Sequence, residues 1–160
     1  MDIPEEEARE IIKRMIAVED DQLYAWLGET LEAKEEKAYS RDAQTAINES
    51  LSFMTEKLND LEKRKKTETK LILPKPLIDK ARKFIKDNIK KLKILICEKG
   101  NACEWGKDLF EIFKKLLNLL LTALEEYLGI ELPGDAITTI VIIIMKMGIR
   151  VLCDCKNDVS

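Results

Sequence analysis

Apolar residues recur at helical spacing almost from the first residue of this chain. Ala8, Ile11, Ile12, Met15 and Ile16 mark one side of a first helix. Asp2 is placed to cap it, with Pro4 in the first turn and Glu5 three residues after the cap. After an acidic break at 19–21, Leu23, Trp26, Leu27 and Leu31 mark a second helical face. Between 32 and 46 the only large apolar residue is Tyr39, so this stretch reads as a bend or a solvent-facing segment. Ile47, Leu51, Met54, Leu58 and Leu61 then step by four, three, four and three, a heptad-like stripe suited to packing on another helix.

The periodicity stops near Lys66, and LILPKP cannot carry a helix through its prolines. Residues 67–76 are therefore the expected linker. From Pro76 a further helix presents Leu77, Ala81, Phe84, Ile85, Ile89, Leu92 and Leu95 on one stripe and ends at Gly100 and Asn101. Asp108 with Glu111 opens another helix, apolar most of the way round, that runs to Gly129. Pro133 and Gly134 make a turn, and Asp135 can cap a last helix reaching Cys153. Its β-branched tract at 137–145 favours a strand by propensity, and KLIL, KILIC and TIVIII admit a small sheet. The helical neighbours favour helix instead, since tertiary context overrides propensity.

The expected fold is all-α. It has an acidic helical region of two to three helices over 1–66, the linker, and a three-helix bundle over 77–155 built around an apolar hairpin at 108–153. At 160 residues, 46% hydrophobic and 36% charged, the composition supports an ordered helical chain. Abundant Lys, Glu and Ile with scarce Gln lean toward a heat-adapted source.

If the last three helices run antiparallel, Cys97, Cys103, Cys153 and Cys155 gather at one pole. Three readings of these thiols stay open. They are reduced small hydrophobes, or disulfides tying the end of the last helix to the 97–103 loop, or a four-thiolate metal site. The metal reading is weakest, because spacings of five and one residues are unlike the usual two to four.

The net charge of −3 conceals segregation. Residues 1–62 hold 7 basic and 17 acidic residues, a net of −10; residues 63–93 hold 13 and 3, a net of +10. The acidic region is expected to fold against the basic helix. Lys83, Lys86, Lys90 and Lys93 recur on the side of that helix opposite its apolar stripe, and KRKK at 63–66 extends the basic patch. Such a row suits phosphates, acidic lipid head groups or an acidic partner helix. Few aromatics and arginines accompany it, which disfavours reading of nucleic-acid sequence.

Catalytic chemistry is thinly represented. There is no histidine, and no GxGxxG, P-loop, GxSxG or HExxH pattern. No enzyme activity, cofactor or small-molecule substrate is inferred. The expected role is non-catalytic protein–protein interaction, as an adaptor or assembly subunit that self-associates, with Ile47, Leu51, Met54, Leu58 and Leu61 as the interaction stripe. The alternatives are a sequence-blind binder of nucleic acid or acidic membrane through the 63–93 face, and a membrane-active hairpin at 108–153. Lys114, Lys115, Lys146 and Arg150 oppose a permanent span. The N-terminus lacks a basic segment followed by an apolar one, and the longest charge-free runs, 116–124 and 136–145, fall short of the ~18–20 residues of a span. A cytoplasmic address is expected.

Overall fold

The computed structural model describes residues 2–33, 38–67 and 73–156. These form seven α-helices: α1 Glu5–Ile16, α2 Asp20–Glu32, α3 Ala43–Thr67, α4 Lys75–Lys93, α5 Leu109–Leu128, α6 Gly134–Met147 and α7 Ile149–Cys153. Among the described residues there is no strand. The all-α expectation holds, and the isoleucine tract is helix. KLIL falls largely in 68–72, outside the described residues, as does much of the 67–76 linker.

Helix α6 sits at the centre. Apart from Asp135, every residue from Gly134 to Met145 is buried, and α1, α2, α3 and α5 all pack on it. That arrangement explains why β-branched residues tolerate a helix here. Burying an Ile or Leu side chain contributes about 1.5–3 kcal/mol, which outweighs a propensity deficit of less than about 0.7 kcal/mol per residue. Helices α1, α2 and α3 cover the apolar hairpin from within the same chain. One continuous core therefore runs from Ala8 to Leu152 across the expected regional boundary. Among the described residues, only Ile94, Ile130, Met147 and Val151 remain as exposed large hydrophobics. No described helix is long and apolar enough to cross a membrane.

Three local expectations change. Helix α1 is entered through Pro4 with no side-chain cap, and Asp2 instead accepts a hydrogen bond from Asn48 Nδ2 at 3.0 Å. Helix α4 does not simply end at Gly100. Its last turn widens into a π-helical segment, Ile94–Lys99, which carries Cys97. The last helix is not continuous to Cys153, because Gly148 takes φ 95°, a region that L side chains avoid, and separates α6 from α7. The break redirects the chain so that α7 packs on the Ile94–Lys99 and Ala102–Glu104 turns.

Asp108 caps α5 as its spacing from Glu111 implies, accepting from the Glu111 amide at 3.2 Å. The same carboxylate receives the Arg9 guanidinium of α1 through two nitrogens, one of them at 3.1 Å. Arg9, followed by the Glu111 amide, holds the Asp108 carboxyl below the usual carboxylate range. A carboxylate with a depressed folded-state pKa stabilises the fold above its unfolded value, about 4, and loses that contribution as pH falls through the depressed value. Asp108→Asn keeps a capping side chain but removes the charge. The expected result is a lower melting temperature at pH 7 and a shallower loss of stability than the parent below about pH 4, measured by thermal melts across pH 2–7.

Candidate functional site: the cysteine pole and the lysine row

The π-helical end of α4, the short turn after it and α7 bring the four cysteines to one pole. Cys97 is joined to Cys153 and Cys103 to Cys155, with Cα–Cα separations of 5.4 and 5.6 Å. Both lie inside the range that a disulfide spans without moving backbone. Of the three readings of these thiols, the structure contains the disulfides. No free cysteine is left, and the described residues hold no group of three or more His, Cys, Asp or Glu able to seat a metal ion. The reduced and metal readings give way because each sulfur meets one partner sulfur across the pole, an adjacency that sequence spacing alone does not encode.

The lysine row lies on α4. Lys83, Lys86, Lys90 and Lys93 are all exposed, on the side opposite the buried Ile78, Ala81, Ile85 and Leu92. Among the described residues, none of the four has a carboxylate partner within 4.0 Å. Two other basic residues of α4 pair with α2, in the direction the charge segregation implies. Arg82 meets Asp21 at 2.6 Å and stacks 4.4 Å from the Tyr24 ring, and Lys80 meets Glu32 at 3.3 Å. Such exposed pairs contribute only about 0–1 kcal/mol each, so they orient α2 on α4 more than they hold it there. The KRKK stretch lies in the last turns of α3, where Lys65 lines the same cleft as Ala17 and Val18 of the α1–α2 junction.

The heptad-like stripe turns inward. Leu51, Met54 and Leu58 are buried and Ile47 and Leu61 pack partly buried against the core, so this surface is used within the chain rather than offered to a partner. Its periodicity reported helix-on-helix packing correctly, but periodicity cannot say which helix answers it.

Sequence reasoning missed a buried polar relay. The Tyr39 hydroxyl donates to Asp135 Oδ1 at 2.6 Å and lies 3.0 Å from Thr138 Oγ1, which in turn bonds the Ser50 hydroxyl at 2.7 Å. Burial, reinforced by the Asp135 carboxylate, pushes the Tyr39 hydroxyl well above the ordinary tyrosine pKa, so it stays a donor. The ring lies against Gly134, where any Cβ would collide with it. The signal available was Tyr39 itself, a lone large residue in an otherwise polar stretch. Tyr39→Phe should cost about 1–3 kcal/mol in a urea melt, because Asp135 and Thr138 then lose a buried partner.

Compared with protein-family models, with curated proteins and with solved structures, the chain matches none of them.

Proposed function

We propose that this protein is a non-catalytic interaction module that presents the Lys83, Lys86, Lys90 and Lys93 row to an acidic protein surface. The observation that carries this reading is the row itself, four exposed ammonium groups with no carboxylate partner among the described residues, on a helix whose Lys80 and Arg82 are paired with α2. Like charges held side by side repel one another, and an acidic partner relieves that repulsion while steering the encounter. A second copy of the chain is one such partner. Its α1 carries exposed Glu5, Glu6, Glu7 and Glu10, so self-association would run through opposite charges rather than through the apolar stripe.

Light scattering at about 50 mM and 500 mM salt tests the reading. Association or capture of an acidic polypeptide should appear at low salt, weaken at high salt, and vanish in the Lys83→Glu, Lys86→Glu, Lys90→Glu variant. A strict monomer at low salt that retains no acidic protein sinks it. Nucleic acid or anionic membrane is the second reading, favoured by the same row. It is supported if heparin or anionic vesicles are retained, and lost on the same substitutions, while acidic protein is not.

The disulfides bear on where the module works. Paired cysteines persist in oxidising compartments and inside hyperthermophilic cells. The Lys- and Glu-rich composition favours the second, consistent with a cytoplasmic, heat-adapted protein.

A further inference from the structure

A cleft of about 420 Å³ opens where the end of α3 meets the α1–α2 junction. Its apolar wall includes Val18, Leu58 and Leu61, the last two from the far end of the α3 stripe. Gln22 of α2 also lines it. This residue is only 5% exposed, and its Oε1 is the one buried side-chain polar atom among the described residues that has no hydrogen-bond partner.

An unmet buried acceptor is costly to a fold, and such groups are rare unless something supplies the missing donor. The oxygen is shielded from solvent as it stands. Gln22 lines the cleft, and the terminal torsion of its side chain is soft, so its carboxamide can reorient to meet an incoming group. There the amide offers one acceptor and two donors to an incoming group. The charges at the mouth offset each other, Arg14 with Lys65 against Glu19 with Glu62, and Arg14 is already paired to Glu62 at 2.8 Å. With Arg14 and Glu62 paired, Lys65 and Glu19 leave one charge of each sign. The lining therefore carries no net charge to favour an ionic head of either sign, whereas a neutral polar head loses less on desolvation. The volume falls within the range of small-molecule sites, which are mostly apolar with a few placed polar groups.

We propose that this cleft binds an uncharged amphiphile whose amide or hydroxyl head hydrogen-bonds the Gln22 carboxamide while its hydrocarbon body lies on Val18, Leu58 and Leu61. The site is separate from the lysine row and does not depend on the interaction reading.

Three probes with the same tail and different heads test it on the full-length protein: octanamide, octanoate and octylammonium, followed by calorimetry and by amide NMR. Octanamide should bind saturably and at least about tenfold more tightly than either ion, shifting the Gln22 side-chain NH₂ signals. Gln22→Leu should raise the melting temperature, since it removes the unpaired acceptor, and weaken octanamide about tenfold, the worth of one well-made hydrogen bond. Leu61→Trp, at a half-buried position, should fill the cleft and abolish binding of all three; it decides the matter if Gln22→Leu does not fold. No saturable octanamide binding by the folded parent overturns the proposal. So does binding that ignores both the head group and the two substitutions.

Discussion

Removing both disulfides should cost the fold about 7 kcal/mol, while removing either one alone should cost only about 2.5–3 kcal/mol. The asymmetry follows from how the two bonds share a loop. Cys97–Cys153 and Cys103–Cys155 close sequence separations of 56 and 52 residues. In the chain-entropy account, a first closure of that length contributes about 4 kcal/mol. Once one bond is in place, the other closes a ring of only about ten residues, 97–103 and 153–155, and contributes about 2.5–3 kcal/mol. The loss of the second bond is therefore larger than the loss of the first. Urea melts of the parent, the Cys97→Ala/Cys153→Ala and Cys103→Ala/Cys155→Ala pairs and the fourfold variant measure all three values. A fourfold-variant loss no larger than the sum of the two single-bond losses would contradict the shared-loop account, and four free thiols in the purified native protein would remove its basis. Domains of this size are stable by about 5–15 kcal/mol, so the reduced protein should stand near the edge of unfolding at ambient temperature.

Gly28→Ala should destabilise by about 2–3 kcal/mol even though alanine is the better helix former by about 1 kcal/mol. Helices α2 and α4 approach so closely at this point that a Cβ on Gly28 would lie 2.8 Å from the Leu77 carbonyl carbon and closer still to its oxygen. The obstacle is backbone, which cannot swing aside as a side-chain tip can. Relief requires the two helices to separate, and separation loosens Leu23, Trp26, Leu27, Ile78 and Ala81 together. The neighbouring exposed Glu29→Ala should change stability by less than about 1 kcal/mol, since it loses only an exposed ion pair with Lys57 at 3.5 Å. A thermal or urea melt of the two variants distinguishes contact at the interface from a general intolerance of α2 to substitution. An unchanged Gly28→Ala protein would mean that α2 and α4 do not meet at this distance.

Much of this was legible in the chain because helical periodicity is a local property. Helices α1 to α5 announced their apolar faces, while the 137–145 tract of α6, buried all round, left strand and helix both open. Asp108 and Glu111 announced a cap, and Gly129 ended α5 in the left-handed conformation expected of a glycine there. The cysteine pole was legible through topology, since three antiparallel helices leave few places for residues 97–103 and 153–155 to go. What depended on distant partners was not legible. Nothing in the Ile47–Leu61 spacing reveals that the stripe faces inward, and nothing near Gly28 reveals Leu77. Gly148 was visible as a glycine, but a single glycine inside an apolar run reads equally as a tolerated helix residue. Gln22 interrupts the apolar side of α2, a departure that carries meaning only once its neighbours are known.

The central position of α6 also sets an order of events during synthesis. Helices α1 to α3 are complete by Thr67, yet the surface they cover begins at Gly134. At roughly 5–20 residues per second, a ribosome needs roughly 3–14 s to make the intervening chain. Throughout that interval α1, α2 and α3 are without the helix they pack on, so their apolar faces must be shielded from aggregation until α6 emerges.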